Sequence, residues 1–179
     1  MVQDGEIPGN VVSLNLSDNQ ISDLTPLESL PNLRLLYLQF NQISDLTPLE
    51  SLTNLQELVL SDNPVSDLTP LGSLVNLRAL YVWDSGVGDI APLGPLAKLQ
   101  TLSFDGSLVG SLTPLQSLPN LRLLYLGYGR DIDLAPLQGL TALRTLYLIY
   151  PQTGTPPTEE QTAWLHSALP GCGLVSWPE

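Results

Sequence analysis

A block of five residues, DLTPL, recurs with a spacing of 22 at Asp23–Leu27, Asp45–Leu49 and Asp67–Leu71. It continues with altered letters as DIAPL from Asp89, SLTPL from Ser111 and DLAPL from Asp133. Between these blocks lies a second pattern, L-x-x-L-x-L-x-x-N-x-I, cleanest at Leu33, Leu36, Leu38, Asn41 and Ile43. Frames open at Gly9, Pro31, Thr53, Val75, Ala97, Pro119 and Thr141. The first six copies are 22 residues long, and the seventh runs into a different C-terminal stretch. A fixed period of this length leaves few folds open. One copy is too short to bury a core of its own, so neighbouring copies must stack and share one.

The letters inside each copy say how. Leu36-Tyr37-Leu38 alternates apolar, exposed, apolar, the period of a strand. One inward column reads Leu14, Leu36, Leu58, Leu80, Leu102, Leu124, Leu146, and the next Leu16, Leu38, Leu60, Val82, Phe104, Leu126, Leu148. Unbroken columns mean that every rung buries the same positions on its neighbours. In the other half of the copy, Asp23 is placed to cap the turn that follows by accepting orphan N–H groups. Pro26 pre-sets φ and needs no donor, and Leu24, Leu27 and Leu30 point back inside.

These repeats resemble the leucine-rich repeat family, in its 22-residue, internalin-like bacterial class, from about Gly9 to Tyr150. The resemblance implies an α/β repeat solenoid: a right-handed horseshoe with a parallel concave β-sheet, a convex side of short 3₁₀ helices or turns, and a C-terminal helix–strand cap. It also implies that Asn19, Asn41 and Asn63 sit inside the bend and bond neighbouring backbone, as a buried amide must. That column then changes to Ser85, Ser107, Gly129 and Pro151, so later bends are built differently. Asp131 stands where other copies have Ile or Val, which predicts a distorted bend at Gly129–Asp133.

The expected organisation is a lead segment over 1–8, seven rungs over 9–150 and a cap over 151–179. Thr158-Glu-Glu-Gln161 reads as a capping box, opening a helix over about 158–169 with Trp164, Leu165, Ala168 and Leu169 on one face. A last strand is expected over about 173–177. The lead segment offers few apolar residues, leaving Val11, Leu14 and Leu16 on an open first rung. That rung is covered by the lead segment, by a missing part of a longer chain, or by a second copy.

Strand residues that do not point inward line the concave face. Its central column reads Asn15, Tyr37, Val59, Tyr81, Ser103, Tyr125, Tyr147, and the column at the strand ends Asp18, Phe40, Asp62, Asp84, Gly106, Tyr128, Tyr150. Trp83 lies between them. All six tyrosines are thus expected on one face. Arg34, Arg78, Arg122 and Arg144 alternate with glutamine at the strand starts. Four arginines against Asp18, Glu57, Asp62, Asp84 and Asp105 leave this side near −1, while the chain as a whole carries −12. Tyrosine, tryptophan and arginine together are the composition of protein-recognition surfaces. The partner-binding candidates are therefore Tyr37, Phe40, Tyr81, Trp83, Tyr125, Tyr128, Tyr147 and Tyr150 with Arg34, Arg78, Arg122 and Arg144. The plainer alternative is that tyrosines suit strands and stack on one another, Tyr125 on Tyr147 for instance.

The expected function is non-catalytic recognition of a protein or peptide. A carbohydrate-binding module using the same aromatics is a second reading, and a structural or assembly piece self-associating through the first rung a third. Six basic residues against 18 acidic ones argue against nucleic acid, and no apolar run approaches the roughly 18 residues of a membrane helix. No cofactor is implied. A single histidine, His166, and a single cysteine, Cys172, give neither a nucleophile–base pair nor a Cys-based metal cluster; His166 is expected on the surface and Cys172 under the cap. Asp62, Asp84 and Asp105 follow one another on adjacent rungs and read as polar strand-end residues rather than a calcium or acid/base site. The resemblance points to a secreted or surface protein, although the sequence shows no signal peptide or anchor.

Overall fold

The computed structural model describes residues 10–127, 132–150 and 157–178. The lead segment 1–8, Tyr128 and residues 129–131 of the expected distorted bend lie outside the described residues.

Eight strands form one sheet, in sequence order and all parallel: β1 (Ser13–Asn15), β2 (Leu35–Tyr37), β3 (Glu57–Val59), β4 (Ala79–Val82), β5 (Thr101–Asp105), β6 (Leu123–Gly127), β7 (Thr145–Tyr150) and β8 (Gly173–Pro178). From β1 to β7 each strand pairs with its counterpart one repeat on, Leu36 with Leu58 and Leu58 with Leu80. Each return passes through a 3₁₀ segment, such as Thr25–Ser29 or Thr47–Ser51, with proline in its first turn. The chain is a leucine-stacked solenoid horseshoe, as the columns dictate.

The turn chemistry repeats as faithfully as the leucines. The carboxylates of Asp23, Asp45, Asp67, Asp89 and Asp133 each accept the N–H two residues on, at 2.8–2.9 Å. In the fifth copy the Ser111 hydroxyl does the same for Thr113, at 3.1 Å. Each sits one residue ahead of the capping position itself, so the motif is an Asx-type turn that leads into the 3₁₀ segment. Hydrogen bonding by the side chains of Thr25, Thr47 and Thr69 first, and by their backbone N–H groups second, holds the carboxyls of Asp23, Asp45 and Asp67 below the ordinary value.

Leu33, Leu36, Leu38, Leu58, Leu60 and Leu80 are fully buried in one continuous core. Asn63 is buried too. Its Oδ1 accepts from the Ile43 N–H at 3.0 Å, and its Nδ2 donates to Leu38 O and Leu60 O, both at 2.9 Å. Asn41 bonds the rung before it in the same way, through Ile21 N–H and Leu16 O. Among the described residues Asn19 reaches its own rung, at Leu16 O and Ser17 O.

The ends differ from the middle. Val11, Leu14, Leu16 and Ile21 are only partly buried against the core. At the other end the helix α1 (Glu159–Ala168) starts on a complete capping box between Thr158 and Gln161. Leu165 and Leu169, one turn apart, carry its contact with the core. Trp164 departs from the expected packing face: it is 36% exposed. The buried stripe of a helix this short is one residue wide, and Trp164 stands about 100° away from Leu165. It borders a recess of about 430 Å³ against Ile132 and Gln138 of the last convex return. Cys172 is half-buried against the core, where burial pushes its thiol up, and His166 is exposed.

Candidate functional site

The outward face of the sheet is built by strand alternation. Tyr37, Tyr81, Tyr125 and Tyr147 each follow a buried leucine and are half-buried themselves. In-register pairing sets Tyr81 beside Ser103, Ser103 beside Tyr125, and Tyr125 beside Tyr147. The rings of Tyr125 and Tyr147 stack, with centroids 4.5 Å apart and planes within 8°. Ser103, between Tyr81 and Tyr125, is 8% exposed, because large neighbours stand on both sides. Burial, then the nearby Glu57 carboxylate, raises the Tyr37 hydroxyl above the ordinary phenol value. Burial chiefly, with Glu57, Tyr125 and Tyr37, does the same to Tyr81.

At the strand ends the backbone does something the alternation does not announce. Asp18, Phe40 and Asp62 have φ of 58° and Asp84 of 47°, all left-handed. This conformation falls two or three positions beyond the ends of β1 to β4, which are three or four residues long, and turns the chain away from the strand direction there. Aspartate visits it readily; a bulky aromatic side chain does not. Phe40 nonetheless occupies it with 53% of its surface exposed.

Trp83 is half-buried on β4's exit, and its backbone N–H donates to Ser61 Oγ at 3.1 Å. Asp62 and Asp84 lie on adjacent rungs; partial burial of Asp62, and then Asp84, push its carboxyl up. Asp105 is different: its carboxylate accepts from both the N–H and the hydroxyl of Ser107. Among the described residues no three or more His, Cys, Asp or Glu are grouped so as to hold a metal ion. No helix among them is long and apolar enough to cross a membrane. Arg34, Arg78, Arg122 and Arg144 are all exposed at the strand starts.

The structure thus brings together Tyr37, Tyr81, Trp83, Tyr125 and Tyr147, with Phe40 at one border and the four arginines at the other. Tyr128 lies outside the described residues. Tyr150 is a correction. Strand β7 runs six residues, so its alternation places Tyr150 with Leu146 and Leu148, and its side chain packs against the core. Sequence reasoning missed the left-handed exits, although a column of Asp with Gly106 was the available signal.

A family model described as leucine-rich repeats, in two copies, matches residues 10–51 and again 53–96. Among solved structures the chain is similar to an internalin (inlF) from Listeria monocytogenes. The TM-score is 0.81 at 28% identity, over 94% of this chain and 48% of that one. An internalin C2 from the same species gives 0.77 at 27%, over 94% of this chain and 73% of that one. A leucine-rich repeat protein from Leptospira interrogans shares the fold at a TM-score of 0.65 and 20% identity, covering 92% of this chain and 48% of the other. The chain thus spans about half the length of the first of these structures. No curated protein matches it in sequence.

Proposed function

Since the chain is a leucine-rich repeat protein with internalin-like repeats, we propose that it is a non-catalytic recognition module that docks a protein partner on its concave face. The observation that carries this reading is the single surface shared by Tyr37, Tyr81, Trp83, Tyr125 and Tyr147. Tyrosine offers large contact area with few rotatable bonds and keeps a hydroxyl for polar pairing. Rigidity is the mechanism. The strands beneath are locked to both neighbours, and Tyr125 and Tyr147 hold one another by stacking. Little freedom is left to lose on docking, so more of the contact energy survives as affinity.

The test is selection of ligands from a displayed random-peptide library. Wild-type protein enriches sequences that the double variant Tyr81→Ala/Tyr125→Ala does not hold, while both proteins keep the same melting transition. Equal retention of those ligands by the folded double variant refutes the face.

A further inference from the structure

Two rows of opposite charge border the tyrosines, and the fold makes each row straight. In-register pairing sets equivalent side chains on successive rungs, roughly 4.8 Å apart. The rows therefore run across the strands, along the solenoid axis. On one border Arg34, Arg78, Arg122 and Arg144 are exposed, and among the described residues none is paired with a carboxylate. On the other stand Asp62 and Asp84, with Phe40 on the rung before them. The two carboxylates repel one another, and an incoming cation would relieve that repulsion.

Resting on the recognition reading above, we propose that the partner element is an α-helix lying along the solenoid axis, acidic on the flank over the arginine row and basic on the flank over Asp62 and Asp84. The dimensions select a helix. Arg34 and Phe40 bracket β2 six residues apart, at most about 20 Å of extended chain, and a helix with its side chains is about 10–12 Å wide, so a helix fits between the two borders. Arg34, Arg78 and Arg122 stand two rungs apart, about 10 Å. Side chains seven residues apart on a helix are separated by about 10.5 Å. An extended strand repeats each face about every 7 Å and falls out of step. The charge balance selects the two flanks. The acidity of this chain lies mostly off this face, whose four arginines meet five acids out of the 18 in the whole sequence. A uniformly basic partner would be repelled by the arginine border.

The probes are three synthetic alanine-based helical peptides with the same leucine stripe. One carries Glu at seven-residue intervals on one flank and Lys on the other; the second carries only Glu, the third only Lys. Fluorescence anisotropy reads binding. The mixed peptide binds the wild type on the order of tenfold more tightly than either single-sign peptide, a difference of one decade in Kd, and weakens as salt rises. Arg78→Glu with Arg122→Glu, all at exposed positions, turns the preference to the Lys peptide. Adding Asp62→Lys and Asp84→Lys restores the mixed peptide, because a helix turned end for end on the surface exchanges its flanks. The proposal is overturned if the Lys peptide binds wild type best, if the three bind alike, or if none binds. In those cases library-selected ligands that still need Tyr81 and Tyr125 leave the recognition face standing. Ligands indifferent to the tyrosines bring down the face itself.

Discussion

Phe40 sits where the first, third and fourth rungs have Asp18, Asp62 and Asp84. A left-handed residue other than glycine carries a penalty of roughly 1–2 kcal/mol, least for Asn and Asp, and Phe40 recovers little of it by burial, being 53% exposed. Phe40→Asn should therefore raise the stability of the fold by about 1 kcal/mol in urea titrations, while lowering affinity for the selected ligands. A variant that loses stability would show that the ring has a packing role. Asp62 makes the complementary case. Burial and the nearness of Asp84 raise its folded-state pKa above the ordinary 3.8. The folded protein then binds this proton more tightly than the unfolded chain, so the charged form opposes folding at neutral pH. The penalty fades as pH falls through the folded pKa towards 3.8. Asp62→Asn is thus more stable than wild type at pH 7, and the gap should narrow in acid; a gap independent of pH would contradict this origin. The asparagine ladder supplies a third contrast. Asn63→Ala strands Ile43 N–H, Leu38 O and Leu60 O inside the core, a loss of about 2–3 kcal/mol. Among the described residues Asn19→Ala removes exposed bonds within its own rung and should change the urea midpoint little.

Strand length is the element-scale variable, and it decides what the sequence revealed. The leucine columns were legible because a strict period exposes every buried position at once. The Asx turns and the capping box were legible because their donors and acceptors are local in sequence. What was not legible is where each strand stops. β1 to β4 are followed, two or three positions on, by a left-handed residue, whereas β5 to β7 run five or six residues. Gly106 falls in the column of left-handed exits but is not itself left-handed. Its hydrogen is needed for close approach: a Cβ there would stand 2.5 Å from Gly127 O. The longer strand then carries Tyr150 past the point where shorter rungs turn outward, and alternation draws it to the core. Trp164 was misplaced for a related reason, since a narrow helix face cannot be told from a broad one by periodicity alone. The glycine pair makes this testable. Gly127→Ala places a methyl 2.8 Å from Asp105 Cα, so backbone must shift, at a loss of about 1–3 kcal/mol. Gly110→Ala meets nothing within 4 Å and should be neutral or slightly stabilising.

At the scale of the whole molecule, each rung touches only its neighbours, so stability has a gradient rather than a single value. A rung in the middle has two partners and fully buried leucines, as at Leu58, Leu60 and Leu80. The first has one described partner, β2, and its Leu14 and Leu16 are only partly buried. At the far end α1 holds the stack closed through Leu165 and Leu169. Native-state amide exchange should therefore be slowest in β3 to β6 and fastest in β1. Leu165→Asp puts a charge into the contact that seats α1, and should speed exchange in β7 and β8 while β2 to β4 keep their protection. The alternative is one cooperative unit, in which that substitution accelerates every amide alike; such a pattern would mean that the rungs do not open separately. The distinction bears on recognition. Tyr37, Tyr81 and Trp83 stand on rungs far from the cap, and Tyr125 and Tyr147 stand near it. If opening is local, the cap variant should lose only the ligands that depend on the Tyr125–Tyr147 stack.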